Sequence, residues 1–481
     1  MTGNPARPPG PDARPSARFV TGSTMGHIVA MTAAGATGLT ALFVVDLIDM
    51  YFISLLGISA LAAAIGYAGT ILFFTTSICI GVAIATGALV SQRVGSGDEA
   101  GARAVAVDNW IFGFAVTGVL AAIIWIFIPE LLALLGARGP TLDHAASYLR
   151  IIIPSMPILA LAMMSGAVLR GVGDARLPMY STLAGGLVNA VLDPIFIFWL
   201  DMGIDGAAWA SVAARLVVAF VAMYGVVTKH RFVTRPSVCR LRHQVPVIAA
   251  IALPALLTNI ATPVGNAYVT WALAPYGDSV MAGWAVVGRL IPVAFGVIFA
   301  LSGAIGPIYG QNFGAKNYDR VRRAYTDGLI FTTAFVIVVS VILFVIQDFI
   351  IASFSLRGEG AALTALFCTW LAPSFGFAGV LFVTNAAFNN LGRPKLATAF
   401  NWGRATIGTV PFVYAGAVVA GAPGILSGYF IGGLVFGVGA IWMGYRVIGQ
   451  LGGGIPPPPG PPTGPLLNPR RPLWPFSSRR I

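Results

Sequence analysis

Two stretches decide the fold when set side by side: "SQRVGSGDEAGAR" at residues 91–103 and "GQNFGAKNYDRVR" at residues 310–322. An offset of 219 residues lays Gln92 on Gln311, Gly95 on Gly314 and Arg103 on Arg322. The same offset pairs "GVGDAR" (171–176) with "NLGRPK" (390–395), setting Gly173 on Gly392, and brings Asp108 onto Asp327. Three features at one offset mark a duplication, a construction common among transporters.

The composition says where the duplicated halves reside. Of 481 residues, 57% are hydrophobic and 10% charged, against about 25% charged in an ordinary soluble domain. That is more apolar side chain than a globular core can bury. Apolar runs of about twenty residues, the length that crosses the hydrocarbon as a helix, recur between short polar breaks. The spans 26–50, 60–88, 104–128, 146–169, 178–200 and 206–228 form one half, and 246–273, 280–308, 325–347, 362–388, 396–419 and 423–447 the other.

Six crossings per half, an even number, start both halves on the same face. The pseudo-symmetry axis then lies along the membrane normal, with a cleft between two bundles. The expectation is an all-α integral membrane protein with twelve transmembrane helices in two pseudo-symmetric six-helix bundles. It comprises a disordered cytoplasmic tail (1–24), an N-terminal lobe (25–228), a cytoplasmic linker (229–245), a C-terminal lobe (246–448) and a Pro-rich disordered cytoplasmic tail (449–481). The first eighteen residues are Pro- and Arg-rich and show no cleavable signal peptide, so the first helix is expected to be its own insertion signal.

A net charge of +12 could suggest nucleic acid, but its distribution is that of a membrane protein. When the breaks alternate between the two sides, 23 of the 29 Lys and Arg fall on one side. The positive-inside rule places both termini and the long breaks in the cytoplasm. The multi-pass chain is expected in the cell membrane as a monomer, with the bilayer and small molecules as partners and no nucleic acid. Cys79, Cys239 and Cys368 lack metal or redox spacing, the four histidines are scattered, and no phosphate loop or nucleophile motif is present. Neither enzymatic chemistry nor a cofactor is expected.

The chemistry sits in ionisable residues inside the membrane. "ALFVVDLIDMYFIS" (41–54) carries Asp46 and Asp49 in its apolar run, at an insertion cost of about 2.5–3.5 kcal/mol each. Three residues apart, they share one helix face and must point to the bundle interior or a water-filled cleft, where they titrate as a coupled pair. In the fifth span, "GGLVNAVLDPIFIFW" places Asn189 and Asp193 four apart on one face, before Pro194. Asn can hydrogen-bond a carboxylate in either protonation state. Ser211 in "GAAWASVAAR" is a weaker candidate, since such a serine is more often just a small packing residue.

The offset carries Asp49 to Tyr268, Asn189 to Gly408 and Asp193 to Phe412. The acidic site therefore exists in one half only, which favours function over packing. Arg289 and Arg404 are the basic residues within the second half. They are open to pairing with carbonyls, snorkelling to headgroups, or meeting an acidic partner or an anionic substrate. Asp108 and Asp327 are expected to serve helix starts, and prolines 154, 157, 254, 263, 292 and 307 to kink their helices.

"DMYFISLLGISALAA", "SQRVGSGDEAGARA", "LRGVGDARLPMY", "NAVLDPIFIF" and "GIDGAAWAS" occur in this order, and with them the chain resembles the multidrug and toxic compound extrusion (MATE) transporters of the multidrug/oligosaccharidyl-lipid/polysaccharide flippase superfamily, across roughly residues 25–447. The resemblance implies two six-helix lobes, rocker-type alternating access, and export of cationic amphipathic compounds against inward flow of protons or sodium ions. It makes Asp49 the first-helix acid, Asn189 and Asp193 the fifth-helix pair, and these three the residues that would hold a sodium ion. Ser211 stands where family members often have Thr, and Asp46 is an addition. The seventh- and tenth-helix acids of sodium-binding members are missing from "LPALLTNIATPVGNAYV" and "GVLFVTNAAFNNLG", which favours the DinF-like, N-lobe-coupled type. The same superfamily holds flippases and dedicated exporters of lipid-linked or secondary-metabolite substrates, the alternative reading.

Overall fold

The structure, a computed structural model, describes residues 17–54 and 59–452; the side chains of 46–51, 53, 54, 59, 60, 62, 63 and 452 lie outside that description. So do the two terminal tails up to residue 16 and from 453. The described chain is almost entirely helical. In the first half run α1 (Thr24–Ser54), α2 (Ser59–Gly95), α3 (Glu99–Ile126), α4 (Ile128–Leu134), α5 (Gly139–Ile152), α6 (Met156–Gly171), α7 (Arg176–Pro194) and α8 (Gly203–Tyr224). In the second run α9 (Val238–Leu273), α10 (Asp278–Ala294), α11 (Gly296–Gly314), α12 (Tyr318–Ser353), α13 (Gly358–Leu366), α14 (Phe375–Asn390), α15 (Pro394–Ala405) and α16 (Val410–Gly452).

Among the described residues, ten helical stretches have the length and hydropathy to cross a membrane, and α10 with α11, bent by 46° just after Pro292, make an eleventh. The twelfth comes from the last stretch, Pro394–Leu451, whose 58 residues are too long for one crossing. Its helix α16 breaks at Ala420 and Gly421, where φ at Gly421 is 60°. The chain doubles back there: a Cβ at Gly416 would run into the main chain of Gly424, one at Gly428 into Phe412, and one at Gly432 into Gly408. Glycines thus let the two arms touch backbone to backbone. Pro154 likewise coincides with the short 3-10 turn Ile153–Ser155 that separates α5 from α6.

Buried apolar residues form one cluster drawn from Leu61–Ile251 and another from Val269–Phe430. A third joins Phe19, Ile28 and Met31 to side chains from Leu301 to Ile448. The first helix of the chain thus packs on the second half, and α9 in turn packs on α2. The polar segment expected to be a linker is irregular only in part, because α9 already begins at Val238.

The repeated loops lock the halves together. Gln92 Nε2 donates to the carbonyl of Asn390 at 2.7 Å, and Gln311 Nε2 to the carbonyl of Gly171 at 2.8 Å. Residues 171 and 390 are themselves related by the repeat offset, so this is one interaction made twice. A Cβ at Gly95 would collide with the main chain of Gln311, and one at Gly314 with that of Gln92. The matched glycines are what allow the two loops to meet.

Asp108 and Asp327 belong to the same seam, which corrects their expected role at helix starts. The α3 cap is Asp98, whose carboxylate accepts from Gly101 N. Asp108 lies further along α3, fully buried, and takes Arg240 of α9 through two bonds of 2.6 and 3.0 Å. Asp327 takes the hydroxyl of Thr24 at the start of α1. Each half thereby grips the first helix of the other. The N-terminal segment adds a strap: Phe19 is 1% exposed, its N–H donates to Gln311 Oε1 at 2.8 Å, and its carbonyl accepts from Asn312 and Arg320. Arg18 ties the same segment to the first half at the carbonyl of Gly173.

In the turn between α6 and α7, Asp174 accepts from His230 at 2.9 Å, Lys229 at 3.1 Å and the N–H groups of Arg176 and Leu177. Burial pushes this carboxyl up, but the bonds from His230, Leu177 and Lys229 together outweigh it and hold the group well below the usual carboxylate range. A depressed carboxylate stabilises the fold above its unfolded pKa of about 4 and loses that contribution as pH falls toward the folded value. Asp174→Asn is therefore expected to destabilise the protein by about 1–3 kcal/mol at neutral pH, with the gap to wild type closing below about pH 4. Thermal unfolding in detergent checks this, and an unchanged gap at low pH contradicts it.

Candidate transport site

Asn189 and Asp193 stand on the last turns of α7, 5% and 0% exposed. Asn189 Nδ2 donates to Asp193 Oδ2 at 2.6 Å. Pro194 has no N–H to continue the helical ladder, and the backbone passes into a π-helical turn, Ile195–Trp199. The pair thus sits where α7 loses regular geometry.

The first helix runs alongside. Gly38 of α1 lies against Met179 and Thr182 of α7, and Val45 against Gly186, so the two helices advance in the same direction. Continuing that register brings the backbone of Asp49, one turn beyond Val45, to the level of Asn189. The side chains of Asp46 and Asp49 lie outside the described residues.

Ser211 is half-buried on α8. Gly206 packs on Phe196 and Gly185 on Ala214 and Val218, so α7 and α8 are antiparallel and residue 211 falls at the depth of Asn189. The repeat counterparts do different work, because Gly408 and Phe412 supply backbone contacts to the α16 hairpin.

The intramembrane arginines divide. Arg215 donates to the carbonyl of Ile152 and the hydroxyl of Ser155, a structural role within the first half. Among the described residues the Arg404 guanidinium instead meets only the hydroxyl of Thr262, at 2.8 Å, and its Nε is buried without a partner. Arg289 is exposed on α10. Among the described residues neither Arg289 nor Arg404 has a carboxylate partner. Sequence reasoning located both arginines, but not the hydroxyl and amide ladder of α9 against which Arg404 lies.

The MatE family model matches residues 36–195 and 254–415, two segments whose starts lie 218 residues apart, one short of the repeat offset. The chain belongs to the MatE family. It is a transporter rather than an enzyme. The FAD transporter of Shewanella oneidensis is 28% identical over 427 residues, covering 87% of this chain and 93% of the relative. The multidrug export protein MepA of Staphylococcus saprophyticus is 28% identical over 272 residues, 56% of this chain and 60% of that protein. The crystal structure of the Vibrio cholerae MATE transporter VcmN in the bent form superposes with a TM-score of 0.83 at 24% identity, covering 89% of this chain and 98% of that one, and so shares the fold. This transporter is accordingly a multi-pass membrane protein of small-molecule traffic.

Proposed function

We propose that this transporter is a secondary active efflux pump that exports organic cations in exchange for protons or sodium ions, with Asp49, Asn189 and Asp193 as the ion and substrate site and Asp46 and Ser211 beside it. The observation that supports this reading is the fully buried Asn189–Asp193 pair, set at the level of an α1 segment that carries two further acids and has no acidic counterpart in the second half. Membrane-embedded carboxylates are costly and mark ion pathways. Asn189 suits such a pathway because its amide can donate to a carboxylate or, turned over, accept from a carboxylic acid.

An ion shifts the equilibrium between two access states only through different affinities for them. Ion binding at Asp193 must therefore weaken substrate binding in one state. In this reading the lobes are 25–228 and 246–448, the chain works as a monomer in the cell membrane, and the repeat-loop end with both termini is cytoplasmic. The locked seam then makes the present conformation closed toward the cytoplasm.

Purified protein in liposomes, with pH and sodium gradients imposed separately, is expected to accumulate a cationic dye under one gradient and not under a potassium gradient of equal size. Equal dye movement without any ion gradient would sink the reading. A second reading, a flippase or dedicated exporter of a lipid-linked or secondary-metabolite substrate, finds weak support in the relative named an FAD transporter. FAD moved by the same liposomes, with no dye transport, would select it.

A further inference from the structure

One face of α9 carries Thr258, Thr262, Asn266 and Thr270, four residues apart throughout. Each meets a partner from another helix of the second half: Thr258 the hydroxyl of Thr398 on α15, Thr262 the guanidinium of Arg404 on α15, Asn266 the phenol of Tyr429 on α16, and Thr270 the indole of Trp284 on α10. The track is polar, enters the second bundle at membrane depth, and is exposed at Asn266. Among the described residues it contains one charge, Arg404, and no carboxylate answers it. An arginine inside a membrane bundle faces an interior or water-filled space and finds a partner there. Arg215 shows what a purely structural arginine does in this protein, with a carbonyl and a hydroxyl in hand. Among the described residues Arg404 has a single hydroxyl and a buried Nε–H that no other group accepts.

We propose that the α9 track is an anion-binding subsite of the second half, with Arg404 and Thr262 holding the carboxylate, sulfonate or phosphate of an organic anion and Asn266 and Tyr429 hydrogen-bonding its body. A guanidinium offers two parallel N–H groups to a planar anion, and Thr262 holds it in place without neutralising it. The subsite rests on the export reading only in that its ligand is cargo; the acids of α1 and α7 take positive groups and Arg404 takes negative ones. Zwitterionic and anionic aromatic compounds thereby join the cargo range.

The test is equilibrium binding, which needs no transport. Protein in phosphatidylcholine nanodiscs is titrated with fluorescein, an anion, and with rhodamine 6G, a cation on the same ring frame. Fluorescein is expected to bind the wild type, to weaken at least about tenfold in Arg404→Gln, and to recover in part in Arg404→Lys, with rhodamine 6G binding equal in all three. Equal rhodamine 6G binding also shows that the variants are folded. Fluorescein binding that is the same in Arg404→Gln, or absent from the wild type, overturns the proposal and leaves the efflux reading standing. Displacement of fluorescein by phosphatidylglycerol in the discs also overturns it, by giving the anion to the bilayer.

Discussion

Asp193→Asn is expected to abolish ion-driven efflux while leaving a folded, monodisperse protein. The substitution is nearly isosteric, and an amide at 193 can still pair with Asn189, so the packing of α7 against α1 and α8 is retained. What disappears is a group that can exist with and without a charge. A hydrogen bond from Asn189 to a carboxylate exceeds one to a neutral group by about 1–2 kcal/mol, and the coupling ion loses its counter-charge entirely. A fall of at least about thirtyfold in the ion-driven rate, the equivalent of ~2 kcal/mol, is the minimum expected in proteoliposomes. Asp49→Asn should behave alike if it serves the same ion. An Asp193→Asn protein that pumps at the wild-type rate removes the N-terminal site from the mechanism.

Much of the fold was legible because a membrane helix announces itself by length and composition, and a duplication by one offset. Among the described residues the membrane-length helices fall where apolar runs predicted crossings, and the break at Ala420 and Gly421 divides the last long stretch near the predicted boundary between its two spans. Within the site, the spacing of Asn189 and Asp193 forecast a shared face, and the structure closes that pair with a hydrogen bond. The roles of Asp108 and Asp327 were not legible. Their partners, Arg240 and Thr24, lie 132 and 303 residues away, and no local period reports a contact between halves. The α9 ladder was hidden for a related reason, since Thr and Asn four apart in a helix look like tolerated polar residues until partners from three other helices are seen to meet them.

The second large effect is expected at the seam between the halves, which alternating access must break and remake. Gln92→Ala together with Gln311→Ala removes both copies of the side-chain bond that crosses from each repeated loop to the other half. Each is worth about 1–2 kcal/mol where the carbonyl it leaves is shielded from water, so the pair shifts the equilibrium toward the open seam by about 100-fold. Neither residue touches the Asn189–Asp193 pair, and ion binding should survive. Exposed positions Ala100 and Asp319, related by the repeat offset, can carry spin labels after the exposed Cys239 is replaced by Ser. The double variant should show a longer distance that the parent lacks, and a single short distance in both would mean that the seam is held elsewhere. Because the two bonds are copies of one interaction, the single variants should each move the equilibrium by about tenfold. A much larger effect from Gln311→Ala alone would trace to Phe19, whose N–H only Gln311 receives, and would make the N-terminal strap the stronger part of the lock.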